Sequence, residues 1–480
     1  MMSLLNRLCC AGALVFSATS AQAALTISAG TTKNVSCVSG VCTATAKTAV
    51  LNKNDLETML ASSNVQVVPG SVATDIVIDT GVTWASGYGL TLDAYQSIAF
   101  DEPVTVNGTG ALSILTNDGG SGGDYSFGPK GKVTFLSTSN SLTINGTAFT
   151  LLGSMSDVQN INSDISGNYA LANFLNASGV KNWVPLGTDG MGHALETYGF
   201  TGTFEGLGHT INNLAVKLGK YDFAGLFGYS TGTVRDVGIV SGAVNGGKYV
   251  GGLIGLNGGK ITRTYSTATM GAGSARTSVV GGLVGSNCCI DAVIIDSYAT
   301  GAVSGVSQIG GLVGQNGGTI NESFATGTVT ATGQNDNNQN PGAGGLVGFH
   351  HNPQALIENS YATGAVPGSS NYRGGLVGSV HTEDVAITNS YATGLIGNGG
   401  SDVNGFIGCQ SGSNFSDNYW DTQSTGESQG VCEGGEPGIA GMTTAQFQSG
   451  LPAGFDPTIW AENPSINNGF PYLINNPPPQ

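Results

Sequence analysis

Gly281-Gly282-Leu283-Val284-Gly285, followed by Ser297-Tyr298-Ala299-Thr300-Gly301, decides the fold, because both blocks recur along the chain. The first returns as Ala224-Gly225-Leu226-Phe227-Gly228, Gly251-Gly252-Leu253-Ile254-Gly255, Gly310-Gly311-Leu312-Val313-Gly314, Gly344-Gly345-Leu346-Val347-Gly348 and Gly374-Gly375-Leu376-Val377-Gly378, and in degenerate form as Asn404-Gly405-Phe406-Ile407-Gly408. The copies lie about 27 to 34 residues apart. The second block returns around Phe324, Tyr361 and Tyr391. A unit of this length holds two or three strand-length runs between Gly/Asn-rich turns. It cannot bury an apolar face alone, so it must stack on its neighbours. The runs are short, rich in Val, Ile, Tyr and Thr, and lack a 3.6-residue period, which indicates strands. The spacing therefore predicts an all-β, right-handed parallel β-helix with short helical caps or insertions.

Within each copy a glycine falls where the chain must turn a corner inside one coil. There, positive φ or close backbone approach would penalise a Cβ. These corner positions are Gly225, Gly252, Gly282, Gly311, Gly345, Gly375 and Gly405. In the Ser-Tyr-Ala-Thr block, strand alternation puts Ser and Ala inside and the aromatic ring outside. Tyr298, Phe324, Tyr361 and Tyr391 then form a candidate surface ladder and contact face.

Outside the repeats, residues 24 to about 150 alternate apolar runs with turns, as in Ile76-Val77-Ile78, Val104-Thr105-Val106 and Leu142-Thr143-Ile144, which again suits stacked coils. Asn54 to Leu60 reads as a short helix, N-capped at Asn52 or Asn54, lying over the first coil. Tyr169 to Leu175 and Trp183 read as a helical or looping insertion, and Thr444 to Ser449 as a short helix in an aromatic C-terminal cap. The expected divisions are a signal segment over 1–23, an N-terminal cap and coils over 24–155, a connecting segment over 156–205, repeat coils over 206–410 and a capping region over 411–480.

The signal reading rests on Arg7, the apolar run Ala11 to Phe16 and the small residues ending at Ala23, and it predicts export to the cell surface or outside the cell. No later run is apolar enough for a transmembrane helix. With 78 glycines in 480 residues and only 10% charged residues, the composition is far from that of an ordinary enzyme. A net charge of −16 argues against nucleic acid, whose phosphates demand clustered Lys and Arg. Six cysteines survive signal removal. Cys37 with Cys42, and Cys409 with Cys432, are candidate disulfides, while Cys288-Cys289 is either two thiols or a vicinal bridge.

The repeats resemble the GLUG motif, named for its Gly-Leu-Val-Gly core and found in filamentous-haemagglutinin-like exoproteins and beside some IgA-specific metallopeptidases. The likeness spans Gly206 to Gly408, and the ending, with Asn418-Tyr419-Trp420-Asp421-Thr422 and Gly469-Phe470-Pro471-Tyr472, resembles the same large exoproteins. It implies an adhesin-like protein with an unidentified glycan or protein ligand.

Chemistry is sparse. His193, His209, His350, His351 and His381 form no HExxH, and His350-His351 read as solvated turn residues. The residue before each Ser-aromatic block runs Arg263, Asp296, Glu322, Asn359, Asn389, Asp417, so only Asp296 and Glu322 make an adjacent carboxylate pair. No catalytic residue, cofactor site or metal site is expected. The competing readings are a polysaccharide lyase or hydrolase using that carboxylate pair, or a purely structural surface spacer.

Overall fold

The computed structural model describes residues 23–189, 193, 199–218, 223–272, 278–331, 342–380, 384–397, 399–410, 414–432 and 436–479. The expected signal segment up to residue 22, with Cys9 and Cys10, lies outside the described residues, as does His381. Among the described residues no helix is long and apolar enough to cross a membrane.

In the N-terminal portion, apolar residues at every second position make strands with one face inward. Ile98–Phe100 buries Ile98 and Phe100, and Val104–Val106 buries Val104 and Val106. Together with Ala111–Leu115 these strands form one coil. Each pairs in parallel with its counterpart one coil further on, in Tyr125–Phe127, Val133–Phe135 and Ser141–Ile144. The repeat coils stack likewise: Val279–Gly281, Val284–Asn287, Val293–Ile295, Tyr298–Ala299 and Val303–Gly305 pair with the equivalent strands between Gln308 and Ala331. One 16-stranded sheet runs from Val35–Val38 to Asn414–Ser416, a length of about 70 Å at the usual strand spacing. The fold is thus an all-β right-handed parallel β-helix with short helical elements.

Beyond the antiparallel pair Val35–Val38 and Val41–Ala44 at its N-terminal edge, the long sheet reverses direction at one further place. Ser141–Ile144 and Thr147–Leu152 pair antiparallel through Asn145-Gly146, with φ of 47° and 78°, the two-residue turn whose central positions both need positive φ. Strands before and after this hairpin run in opposite directions along the shared sheet. The apolar interior is correspondingly two clusters, one centred on Leu25 to Leu151 and one running from Leu152 to Val431.

The segment after the hairpin corrects one expectation. The first part of Tyr169–Leu175 is neither helical nor looping: Asn168–Leu171 is a strand between Thr147–Leu152 and Thr203–Glu205 in the long sheet. A short apolar run carries no decisive period, and here ladder partners on both sides decide it. The local helix is instead Met155–Gln159, N-capped by Ser154. At the N-terminal end, helix Lys53–Leu60 is capped by the Asn52 side chain and buries Leu56 and Leu60. Near the C-terminus, Thr444–Phe447 begins with a capping box between Thr443 and Gln446.

The Gly-Gly-Leu-Val-Gly corner places two consecutive apolar side chains inside, since Leu283 and Val284 are both fully buried. That is possible only because the chain bends between Val279–Gly281 and Val284–Asn287. Gly282 is required by close approach and not by φ. A Cβ there would overlap the Gly311 carbonyl oxygen of the next coil and lie 2.8 Å from the Ala299 Cβ. Positive φ falls instead on the polar column before each Ser-aromatic block, at Arg263, Asp296, Glu322, Asn359, Asn389 and Asp417, with values of 45° to 54°. Asn and Asp tolerate this region best, through local hydrogen bonds of their short side chains.

Identical rungs create internal polar ladders. Asn257 donates to Asn287 and Asn287 to Asn316, each at 2.8 Å, and Asn316 meets His350 Nδ1 at 3.2 Å. His350 is therefore a fully buried rung and not a solvated turn residue. Ser297, Ser323, Ser360 and Ser390 form a second ladder. Each of the last three hydroxyls accepts the backbone N–H of the serine one coil earlier, at 3.1 to 3.2 Å.

Candidate functional site

Coil stacking brings the aromatic residues of the second block face to face. Tyr265, Tyr298, Phe324, Tyr361 and Tyr391 are stacked in order, with ring centroids 4.8 to 5.0 Å apart and planes within 7° of parallel. They lie outside the coil, while Ala299, Ala325, Ala362 and Ala392 on the same strands point into the core. The expected open contact face is corrected for most of its length. Phe324, Tyr361 and Tyr391 are fully buried beneath Phe447, Phe455, Trp460, Phe470 and Leu473 of the C-terminal segment. The Tyr391 hydroxyl donates to the Pro471 carbonyl at 2.6 Å and accepts from the Asn467 amide at 2.8 Å. The physical reason is area: a row of rings left in water is a costly apolar surface, and a segment rich in aromatics returns to cover it.

The cover stops short of the ladder's first two rungs. Tyr265 and Tyr298 remain partly exposed and line a cleft of about 820 Å³. Its walls are Phe127, Gly128, Pro129 and Gly131 from the N-terminal coils, His209, the turn column at Asp236, Arg263 and Asp296, and the tail from Ile474 to Pro479. One rung below Tyr265 in register stands Gly238, where an added Cβ would overlap the Tyr265 ring. The missing side chain ends the ladder there.

A charge network lies beside the cleft. Arg235 bonds Asp236 at 2.6 Å and Asp124 at 2.9 Å, and Arg263 bonds the same two carboxylates at 2.7 and 3.0 Å. The buried Glu205 accepts from the Tyr125 hydroxyl at 2.5 Å, and Arg235 lies 3.9 Å above the Tyr125 ring. Burial pushes the Glu205 and Asp236 carboxyls up, while the Arg235 charge pulls each back down. The network clamps Asp124 and the start of strand Tyr125–Phe127 in the N-terminal coils against two successive repeat coils. Sequence reading named Arg263 but missed Arg235 and Asp236. The available signal was register: Arg235 and Arg263 are close to one coil apart in a chain with only 15 Lys and Arg.

Asp296 differs from these clamped carboxylates. It sits at φ 51° and lines the cleft, and its Oδ1 is buried without a hydrogen-bond partner. Burial first, then the Asp124 charge, pushes its carboxyl up to about 6. Glu322, its neighbour in the column, is raised by burial and by the Asp296 and Glu358 charges. It does not line the cleft, and its carbonyl oxygen accepts from the Asn476 amide at 3.0 Å where the tail passes over it. Of the pair singled out in sequence, one carboxylate opens into the cleft. His209 in the wall is held at 2.7 Å from the Val133 carbonyl, and burial lowers its imidazole to about 4.

Elsewhere, Cys37 and Cys42 are disulfide-bonded, and Cys288 is paired with Cys289. Cys409 and Cys432 are not joined, which corrects that expectation: Cys432 Sγ instead accepts the Gln410 backbone N–H at 3.2 Å. Among the described residues no group of three or more His, Cys, Asp or Glu side chains is placed to hold a metal ion.

Comparison with known proteins agrees with the repeat reading. The chain is 33% identical over 398 residues to Halomucin of Haloquadratum walsbyi (strain DSM 16790 / HBSQ001), a match that covers 79% of this chain but spans only 4% of Halomucin. Among solved structures it is similar to a candidate immunoglobulin A1 protease from Bacteroides ovatus, with a TM-score of 0.43 and 18% identity, over 68% of this chain and 93% of that one. Residues 305–330 match the family model of the GLUG motif, and the chain is a GLUG-containing repeat protein.

Proposed function

We propose that this chain is an exported, adhesin-like module, displayed at the cell surface or outside the cell, that attaches to a glycan or protein ligand on a host, matrix or neighbouring cell and carries out no catalysis. The observation that carries this reading is the cleft at the uncovered end of the aromatic ladder, set in the side of a long stack of coils. Rigid coils present such a site without a moving part, which suits attachment. The strongly acidic composition favours solubility outside the cell and disfavours polyanionic partners. The likeness to Halomucin supports a surface or secreted setting. The test is a binding screen of the purified chain from residue 24 against glycan and matrix-protein arrays and whole cells. Saturable binding without turnover is the expected outcome; a blank screen leaves the structural spacer.

A second reading has one observation in its favour. Asp296 has the raised carboxyl that a general acid needs, next in register to Glu322. Release of new reducing ends or unsaturated sugars from polysaccharides, abolished in Asp296→Asn, would establish it in place of the first.

A further inference from the structure

We propose that the ladder-end cleft is a saccharide site, and that a hydroxyl of a neutral sugar supplies the hydrogen bond that Asp296 lacks. This rests on the attachment reading above and names its ligand class. A largely buried carboxylate without a protein donor is costly to keep. Of the two acids that line the cleft, Asp236 is bonded to Arg235 and Arg263, and Asp296 is the one left over. What it needs is a donor from outside, and sugar hydroxyls are donors that carry no charge.

Charge narrows the class further. Asp124, Asp236, Glu205 and Asp296 outnumber Arg235 and Arg263, and both arginines are already spent on carboxylates. Among the residues that line the cleft the one cation, Arg263, is already bonded to Asp236 and Asp124, so uronic acids and sulfated sugars would meet the Asp236 and Asp296 carboxylates without an unpaired cation in the lining, which disfavours them. The phenol hydroxyls of Tyr265 and Tyr298 sit on the same wall. Neither bonds another described residue, so both can donate to or accept from a ring substituent. A cleft of about 820 Å³ accommodates a short oligosaccharide. The tail from Ile474 to Pro479 forms one wall, so the bound sugar would be gripped between the coil and the chain's own end.

The experiment is calorimetric titration of the chain from residue 24 with a panel of neutral di- and trisaccharides, their uronic and sulfated counterparts, and butylammonium as a cation probe. Asp296→Gly removes the carboxylate and keeps the left-handed turn unstrained. Asp296→Asn keeps the shape and replaces the charge with an amide. Tyr298→Phe removes one hydroxyl and retains the stacked ring. The expected result is saturable binding of at least one neutral saccharide, weakened roughly 10- to 100-fold in Asp296→Gly, less in Asp296→Asn and about threefold or more in Tyr298→Phe, with circular dichroism unchanged. Preference for the acidic sugars or for butylammonium overturns the ligand class. Neutral-sugar binding that all three variants leave intact overturns the site. Cell or matrix attachment that survives Asp296→Gly sinks the site and spares the attachment reading. Sugar binding in the cleft without any attachment to cells or matrix does the reverse.

Discussion

The coils before the Asn145-Gly146 hairpin and those after Gly206 reach the same stacked architecture by different means. The first set has no recurring motif; each strand needs only apolar residues at alternate positions, so Ile98 stacks on Ile76 while Val106 can follow Trp84. The repeat coils reuse the same residue at the same height, so Asn stands on Asn, Ser on Ser and Tyr on Tyr. Parallel stacking by itself demands only alternation. Identity is demanded where a rung must satisfy the next one: a buried amide needs an amide above it, and a corner without a Cβ needs a carbonyl lying against it. A recurrent motif is therefore a mark of internal ladders and tight corners, and a coil can exist without it.

The largest effect that would separate the two regions is steric. Gly311→Val is expected to destabilise the repeat coils by roughly 3 to 5 kcal/mol, because the side chain overlaps the Gly345 carbonyl oxygen. Thr105→Val, outward-facing between Thr83 and Thr134, should stay within about 0.5 kcal/mol. Long repeat arrays need not unfold in one step, so native-state hydrogen exchange, resolved by region, is the measurement. Equal loss of protection at both sites would end the contrast.

Acid should expose the repeat ladder next. Burial lowers His350 to about 4 from its ordinary 6.5. The unfolded chain therefore takes up a proton near pH 6.5 that the folded one refuses until pH 4. Stability from this group is complete above pH 6.5 and falls by about 1.4 kcal/mol per unit down to pH 4, then levels off. His209 acts in the same direction and Asp296, raised to about 6, in the opposite one. The informative quantity is thus the difference from His350→Asn, which keeps an Asn-like rung. The variant should lose roughly 3 kcal/mol less between pH 7 and pH 4, and parallel pH profiles would show that the rung does not titrate as described.

A smaller loss, about 1 to 3 kcal/mol, is expected for Asn287→Ala, which removes the bond between coils and leaves the Asn257 amide only the Gly259 carbonyl and the Asn316 side-chain oxygen only the Gly318 N–H. Removing the Thr143 hydroxyl that bonds Ser113 in the N-terminal coils should change little, since that pair is only partly buried. The smallest loss expected of a repeat-independent feature that still registers is at the junction. Gly146→Ala meets no neighbouring atom but must hold φ near 78°, so about 1 kcal/mol is expected from the backbone alone. Chemical denaturation of the N-terminal coils would register it.

That junction was legible and passed over. Asn-Gly between Ile144 and Thr147 is a strong short-range hairpin signal, but it lay among strands already assigned to parallel stacking. The first helix with its cap narrowed to Asn52 or Asn54, the corner glycines and the inward alanines of the ladder strands were all readable, because each follows from residue spacing within a few positions. His350 was misread since a neighbour on the chain suggested a turn, whereas its true environment is set by Asn316, a full coil away.

From the sequence alone came the coil length, the corners, the alternation that turns the aromatic rings outward, and the short helices near Lys53 and Thr444. These are local consequences of period and turn chemistry. Tertiary structure alone settled which rings meet water, which of Asp296 and Glu322 opens into a cleft, and that Cys409 and Cys432 stay apart. The first two outcomes depend on where Phe447 to Pro479 and Asp124 come to rest, and contacts made across so many intervening residues leave no trace in the spacing of either partner.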